Sequence, residues 1–192
     1  MRVKLIFLYS LFTIQIWAQN TEIGKCATDF IESEMRNNDP ELDQKFQKQD
    51  AFHRNAALSN TQSSKTSATI LTVPIVVHVM YGDKTDNISM DQILDAIDVI
   101  NLDFRRQNED KINTRAIFQG VATDMEIEFK LARLDPSGNC TDGVNRVQTN
   151  LSIDANDNVK PLSHWDNKKY LNIWVVRNIL LPNQPSGTVL GY

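Results

Sequence analysis

The run Ile70 to Gly82, ILTVPIVVHVMYG, constrains the fold more than any other stretch of this chain. It is a nearly continuous series of apolar, largely β-branched residues, without the alternation of a strand that has one wet face. Such a strand needs cover on both sides, which places it inside a helix-covered sheet. The next segment supplies cover. In NISMDQILDAIDVINLDFRRQN, Ser89 and Gln92 form a capping box. Met90, Ile93, Ile97, Ile100 and Phe104 then mark one helical face. DMEIEFKLARL alternates, with Met125, Ile127, Phe129 and Leu131 on one side and Glu126, Glu128 and Lys130 on the other, as a half-exposed strand does. DPSGNCTDG reads as turn and loop. YLNIWVV reads as a third strand, and GTVLGY, Gly187 to Tyr192, as a fourth at the edge of the sheet. This order predicts an α/β fold over residues 70–192, a helix-covered sheet.

The upstream residues have a different character. Arg2 and Lys4 precede an apolar run from Leu5 to Trp17, and Ala18 offers a small residue for cleavage. This is the pattern of a secretory signal peptide over residues 1–18. The run is too short for a membrane core, which needs about 20 apolar residues, so no membrane span is expected after its removal. Residues 19–69 form a second unit. Within NDPEL, Asp39 can cap a helix, Pro40 fits the first helical position, and Glu41 suits the positive end of the dipole. Leu42 and Phe46 give that helix only a narrow apolar stripe, so it needs a larger body to lie on. SNTQSSKTSAT, Ser59 to Thr69, has the composition of an exposed linker, the kind of segment that proteases nick. Lys65 is its one basic residue.

A formal net charge of −4, with basic residues scattered among acids, argues against nucleic acid as a partner. Export permits a disulfide between the two cysteines, Cys26 and Cys140, although each can equally serve another purpose. His53, His78 and His164 lie far apart, and none belongs to a His-x-x-x-His pair. His78, inside the apolar strand, reads as a core histidine satisfied by a hydrogen bond, and His164 as a loop contact. Asp98 and Asp103 read as solvated. Ser186-Gly187 is no nucleophile elbow, and no Gly-rich phosphate loop occurs. NIS, NCT and NLS fit the glycan acceptor pattern, which matters only where the source glycosylates such sites.

The order of segments VPIVVHVMYG, SMDQILDAIDVINLDFRRQN, FQGVATDMEIEFKLARLDPSGNCTDGVNRV, SHWDNKKYLNIWVV and GTVLGY resembles the pappalysin (cytophagalysin-like) family of secreted metzincin zinc metalloproteases. The resemblance runs from about Val73 to Tyr192, and KCATDFIESEMRNNDPEL resembles the pro-segment of bacterial members. It implies a partial metzincin-like catalytic domain, 70–192, built on a twisted mixed sheet with backing helices, behind a helical pro-segment, 19–69. The family's H-E-x-x-H-x-x-G-x-x-H helix and Met-turn do not occur in these residues, so the zinc ligands are expected downstream of residue 192, and this stretch by itself is expected to be inactive. Calcium sites are not legible. The implied activity is hydrolysis of peptide bonds in proteins by a secreted, extracellular enzyme. The rival is a catalytically dead binding or surface module on the same sheet. Two sites follow from the resemblance. Gly187, Thr188, Val189, Leu190, Gly191 and Tyr192 would form an edge strand that pairs with extended substrate. Cys26 would act as a zymogen cysteine switch, its thiolate taking the open zinc position. The family's Arg-x-Cys-Gly-Thr becomes Gly24-Lys25-Cys26-Ala27-Thr28 here, without the arginine and glycine. A Cys26–Cys140 disulfide is the alternative.

Overall fold

The structure, a computed structural model, describes residues 25–59, 69–180 and 189–192. The signal-peptide reading, most of the linker with Lys65, and residues Gly187 and Thr188 lie outside the described residues.

Two helices, α1 (Thr28–Asn38) and α2 (Pro40–Ser59), follow a two-residue strand, β1 (Lys25–Cys26), at the start of the described chain. Asp39 sits between them and accepts hydrogen bonds at Oδ1 from the backbone N–H groups of Glu41 and Leu42, both 3.0 Å. With Pro40 at the first position, this is the helix start that the sequence predicts. Arg36 fastens the hairpin. Its guanidinium reaches Glu32 at 2.5 Å, Asp43 at 3.1 Å and Asp50 at 3.0 Å, and lies 4.6 Å from the centre of the Phe46 ring. One forked cation thus joins both helices where apolar contact is thin.

The long apolar run forms β2 (Leu71–Tyr81), with every residue from Ile75 to Met80 buried. Three strands pair with it, all parallel: β3 (Ile127–Leu131), β4 (Val144–Gln148) and β5 (Leu171–Val175). β3 lies along Leu71–Ile75 and β4 along Val77–Tyr81. β5 lies along Ile75–Val79, overlapping both, so it occupies the opposite edge of β2. Pro74, which has no N–H, is tolerated inside this strand for a local reason. The N–H groups of Leu71 and Val77 point to the β3/β4 edge, so the nitrogen of Pro74 faces the β5 edge, where pairing begins only at Ile75. The pairings of this sheet are parallel; among the described residues antiparallel character enters only at isolated bridges, Leu134–Cys140 and Ile179–Val189.

Helix α3 (Met90–Phe104) carries the capping box: Ser89 Oγ accepts from Gln92 N at 3.2 Å, and Gln92 Oε1 accepts from Ser89 N at 2.9 Å. Ile93 and Ile97 pack against Val77, Val79, Leu131, Val144 and Val175 on one face of the sheet. Asp98 and Asp103 point to solvent, as read from the sequence. Asn101 closes the outer edge of β3. Its Oδ1 accepts from Phe129 N at 2.7 Å and its Nδ2 donates to Phe129 O at 3.0 Å, so one amide side chain imitates a neighbouring strand. Arg105 ties the same corner to Asp124 at 3.0 Å and Glu128 at 2.9 Å. On the other face, Val76 packs with Ala132 and Trp165, and Met80 with Ala155 and Val159.

One strand reading needs correction, and one strand is unforeseen. β4 follows directly on the loop DPSGNCTDG, in residues to which the sequence reading gives no element. Its entry depends on Gly143, at φ 77°, where an added Cβ would stand 2.8 Å from Ala132 N. The terminal strand exists as β6 (Val189–Gly191), but it does not extend the four-stranded sheet. It pairs in parallel with β1 (Lys25–Cys26), next to the start of α1. No helix among the described residues is long and apolar enough to cross a membrane.

Candidate functional site

The residues singled out at the two ends of the chain meet. Lys25 pairs with Val189 and Cys26 with Gly191, with an irregular register between them. Ala27 N then donates to Gly191 O at 2.9 Å. Ala27 is 1% exposed and packs with Val189, Phe30, Ile31, Ile179 and Tyr192. The local logic is helical. Ala27 immediately precedes α1, and Phe30 and Ile31, three and four residues on, fall on its side of the first turn. The other edge of β6 is taken as well, through the antiparallel bridge between Val189 and Ile179. Both edges of this strand are therefore occupied, one of them by the Cys26 segment.

Cys26 itself is exposed and carries a free thiol, as does Cys140; the disulfide alternative is not formed in this structure. The Cys26 sulfur lies 3.0 Å from Thr28 Oγ1. That side-chain hydrogen bond, then one from the Thr28 backbone, pull the thiol below its ordinary pKa. Among the described residues no three of His, Cys, Asp or Glu come together as a metal site, so Cys26 offers a lone ligand and these residues do not fit a complete zinc centre.

Tyr192 fixes the end of β6. Its hydroxyl donates to Asp157 Oδ1 at 3.0 Å, and Lys160 Nζ lies 4.6 Å from the ring centre and 2.6 Å from the same carboxylate. Lys160 first, then Tyr192, hold Asp157 below the usual carboxylate range, while burial and the Asp157 charge push the phenol up. Asp157 and Lys160 belong to a 3-10 turn, Asp157–Leu162, held to the sheet by buried Val159. A cleft of about 530 Å³ runs beneath β6, walled by Ala155, Val159, Trp174, Ile179, Leu190 and Tyr192.

His78 is a core residue, as the sequence suggested, and its satisfaction is fuller than one bond. Nε2 lies 2.9 Å from Asn172 Oδ1 and Nδ1 lies 3.3 Å from Asn145 Nδ2. Asn172 offers an oxygen and Asn145 an amide N–H, which assigns the proton to Nε2. The ring stacks on Trp174 at 4.9 Å and meets Trp165 edge-on at 6.5 Å. Burial lowers its pKa. Asn172 is a residue that sequence reasoning missed. Its Oδ1 also accepts from Trp165 N at 2.9 Å, and its Nδ2 donates to Trp165 O at 3.0 Å and Tyr170 O at 3.3 Å. One half-buried amide therefore fixes the loop from His164 to Tyr170. His164 is an exposed residue of that loop.

Neither a protein-family model nor a curated protein matches this chain. Solved structures do. A mutant of promirolysin from Tannerella forsythia aligns with 74% of this chain at 38% identity, with a TM-score of 0.58. The chain is similar to mirolysin. Mature Tannerella forsythia mirolysin in complex with a cleaved peptide aligns with 57% of it at 44% identity and a TM-score of 0.52, and mirolysin in complex with compound 9 at 44% identity and 0.51. The chain spans 47% of the promirolysin chain and 43% of each mirolysin chain, less than half of their length. The shared architecture is α/β: an open, mostly parallel sheet with helices.

Proposed function

We propose that this chain is the N-terminal part of a secreted, zinc-dependent metalloendopeptidase precursor, of the pappalysin type within the metzincins. Residues 1–18 are its signal peptide, 19–69 its pro-segment and linker, and 70–192 the first part of its catalytic domain. The zinc ligands come from sequence beyond Tyr192. The metal supplies Lewis-acid activation of water and carbonyl when bound. The residues in hand act before that chemistry. β6 offers the backbone edge on which an extended protein or peptide substrate lies, and β1 holds that edge shut.

The observation that carries this reading is the parallel pairing of β1 with β6, which brings a cysteine-bearing upstream segment onto the strand assigned to substrate. Strand addition needs a free edge, and with Ile179 bridged to the other side, a substrate can join β6 only where β1 now lies. Cys26 leaves this ladder with its thiol free and eased toward the thiolate by Thr28, the form that a zymogen switch places on the open metal position. Comparison with the relatives supports the same division. The pro form covers 74% of the chain and the mature form 57%, and the additional share is close to that of residues 25–59 in a chain of 192.

The test is made on the full-length protein, cleaved between residues 59 and 69. Stoichiometric zinc and casein hydrolysis that stops with a chelator are expected. A processed protein without zinc and without hydrolysis would instead make the chain a binding or surface module on this sheet.

A further inference from the structure

We infer that the patch formed by Val189, Ile179 and Tyr192 is a substrate subsite for a large apolar side chain, held in the precursor by Ala27, Phe30 and Ile31. This rests on the reading of β6 as the substrate strand, and it adds a preference that backbone pairing cannot supply. A ladder of N–H and C=O groups accepts any sequence; selectivity comes from the pockets that alternate side chains enter.

The precursor shows what such a pocket accepts. Ala27 N donates to Gly191 O, as a bound strand would, so the side chains around Ala27 occupy the place of substrate side chains beside β6. They form an apolar cluster: Ala27 at 1% exposure against Val189 at 8%, with Phe30, Ile31, Ile179 and Tyr192 packed around them. Ala27 is small, and α1 fills the remaining space by bringing Phe30 and Ile31 over it from the first turn. An extended peptide has no such turn. To restore the same cover from a single position it must present one large side chain, a leucine, methionine or phenylalanine, toward Val189. The walls are tied to residues other than the occupant. Tyr192 is tied through its hydroxyl to Asp157 and flanked by Lys160, and Ile179 is bridged to Ala155 as well as to Val189. Among the described residues the cluster itself is apolar, and the neighbouring charges of Asp157 and Lys160 are paired with each other.

The experiment is a positional-scanning peptide library given to the processed full-length enzyme, followed by the same library with Ile179→Ser. The wild-type enzyme is expected to prefer Leu, Met or Phe over Asp and Gly by about tenfold or more in kcat/KM at one position on the β6 side of the cut, the range that single apolar contacts give. Ile179→Ser is expected to shrink that ratio severalfold while leaving preferences at other positions in place. If peptides are cleaved with no apolar preference there, or if Ile179→Ser leaves the ratio unchanged, the subsite is wrong and the protease reading stands. If no peptide is cleaved by the wild-type enzyme, the protease reading falls and the subsite with it. Should Ile179→Ser fail to fold, the crystal structure of the processed enzyme with a cleaved peptide decides: a peptide side chain against Val189 supports the subsite, and solvent there overturns it.

Discussion

Replacing Asn172 with alanine should cost far more stability than its half-buried position suggests. The amide makes four hydrogen bonds, to His78 Nε2, Trp165 N, Trp165 O and Tyr170 O. Asn172→Ala strands two donors. One, on His78, is fully buried; the other belongs to Trp165, which is 9% exposed. A buried donor left unpaired costs about 1–3 kcal/mol. The two carbonyls lose less, since each oxygen keeps a second lone pair. The expected loss is about 2–4 kcal/mol. With an m-value of about 2 kcal/mol/M for a small domain in urea, the unfolding midpoint should fall by about 1–2 M. The assay is urea denaturation followed by tryptophan fluorescence, which reports on this region because Trp174 stacks on His78 and Trp165 meets it edge-on. Asn178→Ala is the control: its exposed amide bonds Asp154, and its loss should cost under about 1 kcal/mol. If Asn172→Ala shifts the midpoint no more than Asn178→Ala does, the network is not what holds the loop from His164 to Tyr170, and this account of His78 fails.

Three further outcomes are expected. Thr28→Val should raise the midpoint of the pH dependence of Cys26 alkylation, since the Thr28 hydroxyl is the largest cause of the lowered thiol pKa; an unchanged midpoint would contradict it. His78 has a folded pKa below its unfolded one, so the unfolded state takes up the proton first: this contribution to stability is complete above about pH 6.5 and is lost as pH falls below it, a slope that urea titrations should show and that His78→Gln should flatten. Arg36→Ala removes the cation shared by Glu32, Asp43 and Asp50, and hydrogen exchange should rise in α1 and α2 while the β2 core stays protected; equal protection in both proteins would show that the hairpin does not depend on it.

The features legible in the sequence were those written locally. The strand at Leu71–Tyr81 announces itself through uninterrupted apolar residues, and the starts of α2 and α3 through Asp39-Pro40 and Ser89 with Gln92, because a cap needs only its own first turn. β4 was hidden because five residues with three polar positions do not differ from loop composition; its strand character comes from lying beside β2. The pairing of β1 with β6 joins residues at opposite ends of the chain, and two- and three-residue strands carry no periodicity that names a partner. Asn101 and Asn172 escaped notice for a related reason. Asparagine in a sequence reads as surface or turn, and only the fold shows one closing a strand edge and the other satisfying a buried imidazole. At the site, Cys26 and Val189 to Tyr192 came from resemblance, whereas their contact with each other came from the structure.

The central claim is that the segment carrying Cys26 keeps β6 closed until it is removed. The most direct measurement is the initial rate of casein hydrolysis by the full-length precursor, before and after cleavage between residues 59 and 69, at equal zinc occupancy. The account expects little or no hydrolysis before cleavage and a rise of at least about a hundredfold after it, which corresponds to about 2.7 kcal/mol of blocking by β1, α1 and the thiol together. An uncleaved precursor that hydrolyses casein as fast as the processed enzyme would contradict it.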